Sequence, residues 1–383
     1  MTGRNFDAAV VGAGCFGVWS AWSLRRAGLS VALVDAYGPG NARSSSGGES
    51  RIIRMGYGAD ELYTRLSLRS LTIWKELSAR TDPPLFHRTG VLWMGQARDP
   101  YMTASEAALN RAGVPNETLD RVELARRYPQ IDPGPIEWGI LEPGSGILLA
   151  RRAVQVVAQD GASSGVARVD AAVAPPVGRG RLASAELSSG ERISAGSFVF
   201  ACGPWLGKVF PDLLRERIFP SRQEVFYFGA SPGDARFRPP EMPAWLDRTA
   251  EVYGIPDLEA RGFKVAVDRH GPRFDPDAGE RVATAEGLEA ARAYVGGRFP
   301  GLAKAPVLSA EVCQYENTSN GDFLVDRHPD FDNVWLAGGG SGHGFKHGPA
   351  IGELMARLVT SGGEIEPRFR LETKSTRQKR TVH

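Results

Sequence analysis

The chain opens on a short apolar run, Phe6 to Val11, that breaks into Gly12, Gly14 and Gly17 and continues as WSAWSLRRAG. It then resumes as LSVALVD, ending on Asp35. Strand-length apolar runs either side of a glycine turn and a segment of helical period predict strand, turn, helix and strand. Residues 59–80, ADELYTRLSLRSLTIWKELSAR, carry Leu62, Leu66, Ile73 and Leu77, and a helix burying that face is expected. RTGVLWMG, ERISAGSFVFACGPW, FPSRQEVFYFG and RGFKVAV have the length and residue types of strands, and ARRAVQVVAQDGA reads as another helix. The last apolar strand, VWLAG, enters the turn GGSGHGF and then a helix carrying Ile351, Leu354, Met355 and Leu358. No internal repeat supports a solenoid or propeller.

The first glycine cluster acquires meaning from its context. Gly12 permits a tight turn, Gly14 leaves room for a pyrophosphate, Gly17 lets helix and strand approach, and Asp35 can accept hydrogen bonds from an adenosine ribose. Dinucleotide binding follows, although this fingerprint alone does not choose between FAD and a nicotinamide cofactor.

Composition narrows the field. The 383 residues suffice for two or more domains. The 46 basic residues are offset by 44 acidic ones, so charge supplies no argument for a nucleic-acid partner. The basic run after Arg368, including Lys374, Arg377, Lys379 and Arg380, reads as a solvated polar end. Cys15, Cys202 and Cys313 form neither a disulfide framework nor a zinc motif; no metal is expected. No apolar run approaches a membrane span and no signal-like start precedes the first strand, so a cytoplasmic location is the default.

Taken in order along the chain, VVGAGCFG, SSSGGESRIIRMGYG, ILEPGSGIL, ACGPW, FKVAVD, VCQYENTSNGDFLVDRHP and LAGGGSGHGFKHG resemble the amino-acid oxidase superfamily of flavoproteins. The similarity is greatest to the sarcosine oxidase and N-methyltryptophan oxidase branch. It implies an α/β plus α+β architecture: a discontinuous Rossmann-like FAD-binding domain, from 1–60, 145–205 and 310–365, with an inserted mixed-sheet substrate domain. The latter takes 61–144 and 206–309, leaving 366–383 as a polar C-terminal tail. The implied activity is oxidation of a secondary or N-substituted amino acid, passing hydride to flavin and electrons to oxygen, giving an imine and hydrogen peroxide. Oxidation of a primary or cyclic amino acid, and an FAD dehydrogenase with another acceptor, stay open. The implied partners are a small carboxylate-bearing amine and molecular oxygen, and a monomer is compatible with these.

The resemblance also assigns residues. Cys313, in a Cys-x-Tyr pattern with Tyr315, corresponds to the cysteine that attaches FAD covalently through the flavin 8α-methyl carbon. Arg54 and Lys346 correspond to the carboxylate-binding cations, Arg51 to a flavin-side charge, and Lys264 to the cation that assists oxygen. Tyr315 is expected in the pocket wall, and His343 either donates to flavin or a pocket group or satisfies its own turn. Gly342 and Gly344 belong to the second glycine turn at the cofactor. Asp268 departs from the pattern, which has histidine there; it attracts a substrate ammonium, organises water, or forms a peripheral ion pair. Ser46 and Gly47 stand where the pattern has paired histidines, which puts sarcosine itself in doubt. Cys15 and Cys202 read as packing residues.

Overall fold

The computed structural model describes residues 5–97 and 99–379. The opening pattern folds as strand Asn5–Val11, helix Cys15–Arg26 and strand Val31–Asp35. Asn5–Val11 lies inside a sheet whose main path runs Leu324–Arg327, Val334–Gly338, Arg192–Phe200, Asn5–Val11, Val31–Asp35, Ala167–Asp170. All neighbours on this path are parallel except the edge strand Leu324–Arg327. Alternation of side chains explains why the central strand is apolar throughout. Ala8 and Val10 pack in the cluster with Trp19, Val154 and Ile351, whereas Ala9 and Val11 join Leu182, Phe198 and Leu206.

A second, mixed sheet runs Val307–Asn317, Phe219–Phe228, Phe263–Val267, Val252–Ile255, Ala244–Asp247, Val91–Gly95, Trp138–Glu142, Glu117–Asp120. Only the pairing of Ala244–Asp247 with Val91–Gly95 is parallel. The expected two-part architecture is therefore present. Its boundary at residue 310 is displaced, however: Val307–Asn317 pairs along its length with Phe219–Phe228, so the second sheet takes this whole strand. A small third sheet joins Arg51–Ile53, Gly146–Leu148 and Phe86–His87.

Two further expectations change. Helix Glu61–Ser78 buries Tyr63, Ser67, Ser70, Leu71 and Trp74 as well as Ile73 and Leu77, while Leu62 and Leu66 are only half-buried. The serines make this face narrow enough to meet helix Gly348–Ser361, and the Ala350 amide donates to Ser70 Oγ at 3.3 Å. Much of the segment 367–379 is docked, although Arg377 and Lys379 are exposed, and Arg380 lies outside the described residues. Phe369 and Lys374 are buried, Arg368 pairs with Asp60 and Asp322, and the Lys379 amide donates to the Ser319 carbonyl at 2.8 Å. A charge run hides the one aromatic residue that docks it. Among the described residues, no helix is long and apolar enough to cross a membrane.

The close approach at the start of the chain gives a direct test. A Cβ on Gly17 would lie 1.8 Å from the Gly12 carbonyl oxygen, so strand and helix cannot keep their spacing around alanine. Gly17→Ala is expected to lower unfolding free energy by about 1–3 kcal/mol, the usual cost of forced overpacking. Denaturant titration measures it, and an unchanged midpoint would contradict the packing role.

Candidate active site

The carboxyl ends of the parallel strands open into a cleft enclosing about 1410 Å³ of space, continuous with solvent. It lies where open α/β sheets bind nucleotides. Gly12, with φ at +101°, makes a turn whose Cβ would strike the Ala201 carbonyl at 2.4 Å. A Cβ on Gly14 would meet nothing nearer than Ser46 Oγ at 3.6 Å, so the cleft wall is open at this glycine. Ser46 itself accepts from the Cys15 amide at 3.0 Å, which explains a small hydroxyl at this position.

Asp35 lines the same cleft. Its carboxylate accepts from the amides of Ala13, Tyr37 and Gly38 at 2.7–2.8 Å, fixing both oxygens at the strand end. Gly342 and Gly344 line it too; Gly17 does not, and serves packing. Cys15 and Cys202 also face the cleft, and burial pushes both thiols far up, which suits wall residues. Three residues of the lining, Ser45, Gln314 and Glu316, each hold a buried side-chain oxygen without a hydrogen-bond partner. Open glycines, a fixed acid and orphan polar atoms fit an extended, hydroxyl-rich dinucleotide.

At one end of the cleft lies Arg51, half-buried on Arg51–Ile53. Its guanidinium donates to the carbonyls of Ser50 at 2.8 Å and Ser45 at 2.6 Å, and stands 3.4 Å from Cys313 Sγ. Burial acts against the Arg51 charge, but Cys313 and the phenols of Tyr253, Tyr315 and Tyr227 more than offset it. Lys264, on Phe263–Val267, is fully buried and donates to the Ser50 carbonyl at 2.9 Å. Burial, with Arg51 alongside, lowers its ammonium to about 7. The strand-like FKVAV therefore turns its lysine inward toward Arg51, and the exposed-face alternative fails.

Arg54 and Lys346 form a second cationic centre. Arg54 follows the same short strand, three residues after Arg51, and lies over the rings of Tyr57 at 4.5 Å and Trp93 at 4.6 Å. The Lys346 ammonium donates to the Tyr57 hydroxyl at 2.7 Å and the His343 carbonyl at 3.0 Å. Burial, then Arg54, hold Lys346 well below the ordinary lysine range. Trp74 anchors the lysine's backbone by donating Nε1–H to its carbonyl at 2.9 Å. His343 has its ring nitrogens at the Tyr57 hydroxyl, 3.3 Å, and the Gly321 carbonyl, 3.0 Å, so it braces Tyr57 and the turn. Asp268 is half-buried; burial pushes its carboxyl up to about 7 while Arg54, Arg248 and Lys346 pull it down. It thus joins the electrostatics of this centre. His270 Nδ1 instead accepts from Gln378 Nε2 at 2.7 Å.

Three residues escaped the sequence reading. Tyr57 joins Lys346 to His347, whose Nε2 lies 2.8 Å from the hydroxyl, and Tyr253 sets its phenol against Tyr315 beside Arg51. Glu142 is fully buried and accepts from the Met55 and Gly56 amides, Trp93 Nε1 and Ser145 Oγ, at 2.6–3.1 Å. It fixes the loop that carries Arg54. A lone acid inside the apolar run GILEPGSGIL was the available signal. Glu142→Ala strips four buried donors of their acceptor. Unfolding free energy is expected to fall by at least about 3 kcal/mol, with Glu142→Gln intermediate. Equal stability of Glu142→Ala and the parent in urea would refute this anchor.

The sequence profile of the FAD dependent oxidoreductase family, DAO, matches residues 7–358. The chain is 29% identical over 371 residues to monomeric sarcosine oxidase of Bacillus sp., covering 94% of each chain. It is 28% identical over 377 residues to N-methyl-L-tryptophan oxidase of Salmonella heidelberg, covering 96% of this chain and 98% of that one. The L-proline dehydrogenase structure from P. horikoshii superposes with a TM-score of 0.84 at 20% identity, over 96% of this chain and 97% of the other. A nucleotide cleft on a parallel sheet, a mixed sheet beside it and a family match across nearly the whole length lead to one conclusion: this chain belongs to the FAD-dependent oxidoreductase family.

Proposed function

We propose that the chain is an FAD-dependent oxidase of a secondary or N-substituted amino acid, releasing an imine and hydrogen peroxide. The observation that carries this reading is the pairing of two buried cations, Arg54 and Lys346, beyond the Arg51 end of the cleft. Each charge disfavours the other, and a bound carboxylate would relieve both through charge-assisted hydrogen bonds. When bound, FAD accepts the substrate's hydride and passes the electrons to oxygen. Arg54 and Lys346 orient the donor carbon by its carboxylate, Tyr315 and Tyr253 wall the site, and Asp268 meets the amine. Ser46 and Gly47 stand at the paired histidines of the sarcosine oxidase pattern and Asp268 at a further one, changes of size and protonation chemistry that count against sarcosine itself as the amine.

Anaerobic bleaching of the flavin by a panel of N-substituted, primary and cyclic amino acids tests the reading. The N-substituted acids should bleach it fastest, and their amides should react at least about 10-fold more slowly, losing about 1.4 kcal/mol of clamp interaction. Arg54→Ala should erase that preference. Bleaching by acid and amide at one rate would sink the carboxylate clamp.

Lys264 acts in the oxygen half-reaction, where its ammonium stabilises developing negative charge on oxygen. Lys264→Met should leave bleaching measurable and slow reoxidation by at least about 10-fold, roughly 1.4 kcal/mol. A lysine depressed to about 7 is protonated below that pH, so parent reoxidation should slow as pH rises through it. Loss of bleaching with normal reoxidation in stopped flow would move Lys264 to the substrate half.

Cys313 attaches the cofactor in this reading. The new S–C bond replaces the thiol S–H and one methyl C–H; two protons leave and the electron pair passes through the ring to oxygen. Acid-denatured parent should keep flavin fluorescence on the polypeptide and show the added mass, and Cys313→Ala should release all its FAD. An unmodified parent mass would reject the linkage.

A further inference from the structure

Strand Val307–Asn317 turns alternate side chains to opposite faces, so Gln314 and Glu316 share one face. Both line the nucleotide cleft. Gln314 is fully buried; its Nε2 donates to the Arg43 carbonyl at 2.7 Å, while its Oε1 has no partner. Glu316 is 7% exposed, and its Oε1 is likewise without a partner. The carboxyl lies against the loops that leave two parallel strands. A Cβ on Gly338 would stand 2.4 Å from Oε1, and one on Gly203 would stand 4.0 Å from Oε2. The absence of a side chain at Gly338 keeps the space that the carboxyl occupies, while Gly203, which lines the cleft, is in ordinary contact range of its other oxygen.

Glu316 also differs in charge environment from the cationic centres nearby. Burial raises its carboxyl to about 7, against which only the Gly339 and Gly340 amides act. A buried polar atom left without a partner costs roughly 1–3 kcal/mol, so an open acceptor here points to a ligand donor. A phosphate is a poor occupant for an acid without an adjoining cation, and the glycine turn at the start of helix Cys15–Arg26 already suits phosphate. On the same strand Cys313 lies at Arg51, and Glu316, further along, acts with Asp35 on the Cys202 thiol, so Glu316 falls between Arg51 and Asp35. The portion of FAD between its pyrophosphate and its ring is a chain of hydroxyls.

We propose that Glu316 is a cofactor-binding residue that accepts hydrogen bonds from the ribityl hydroxyls of FAD and so holds the linker between pyrophosphate and ring. The assignment rests on the family's use of FAD and is independent of which amine is oxidised.

The test is a titration of FAD into cofactor-free chain, followed by flavin fluorescence, in a Cys313→Ala background that leaves binding reversible. Glu316→Leu is expected to weaken FAD binding by at least about 10-fold, equal to about 1.4 kcal/mol. Glu316→Gln keeps an acceptor of the same shape and should stay within about threefold. FAD analogues that each lack one ribityl hydroxyl give a second readout: the Cys313→Ala protein should lose affinity for at least one of them, and Glu316→Leu should bind that analogue and FAD alike. An analogue penalty of equal size with and without Glu316 would overturn the proposal, as would unchanged FAD affinity in Glu316→Leu. Should Glu316→Leu fail to fold, the analogue series on the Cys313→Ala protein decides: if every analogue binds as tightly as FAD, Glu316 holds no hydroxyl. No amine enters these measurements, so their failure leaves the substrate reading untouched.

Discussion

The site depends on keeping positive charge inside the protein. Arg54, Lys264 and Lys346 are buried, and Arg51 is half-buried beside them. Removing such charges from water is expensive unless other groups replace the hydration. Part of the replacement is neutral, the carbonyls of Ser45, Ser50 and His343 and the hydroxyl of Tyr57, and part is the negative charge of Glu142 and Asp268 near Arg54 and Lys346. The neutral acceptors hold Arg51, Lys264 and Lys346 in place without cancelling their charge. The field that remains is available to an anionic group.

That arrangement requires a rigid frame, and the frame comes from distant parts of the chain. Glu142 on the second sheet ties down the loop after Arg51–Ile53 through two amides, and its contact with Trp93 Nε1 fixes the ring beneath Arg54. Trp74 on the serine-faced helix holds the Lys346 backbone, and the Ser50 carbonyl receives both Lys264 and Arg51. Arg54, Lys264 and Lys346 are thus set by elements remote in sequence from their own, whereas Arg51 is held by its neighbours Ser45 and Ser50. A substitution in any of these supports would act on the chemistry through position.

Strand Val307–Asn317 connects the two halves of the molecule. It pairs with the second sheet, yet its side chains reach the cleft of the first: Cys313 lies at Arg51, and Gln314, Tyr315 and Glu316 line the groove. The period of two lets one strand present sulfur and tyrosine to one region and polar acceptors to another. The C-terminal segment closes the same neighbourhood, with Arg368 on Asp60 and Asp322 and Lys379 on Ser319.

Local sequence was sufficient for the elements whose conformation is locally determined. Gly12, Gly14, Gly17 and Asp35 announce the first nucleotide-binding turn, because a positive φ, a close approach and a fixed acid each demand a particular residue. The cations at 51, 54, 264 and 346 were legible through resemblance, since motif order survives where periodicity says little. Tertiary structure alone decided the rest. The buried face of Glu61–Ser78 was set by serines that fit against a helix nearly 300 residues away, and no hydrophobic pattern encodes that partner. The membership of Val307–Asn317 in the second sheet, the docking of Phe369 and Lys374, and the anchoring role of Glu142 depend on pairings across long separations. The charge and hydropathy of a residue are local properties. Its partner, and therefore the state in which it can work, is fixed only when the chain brings the two together.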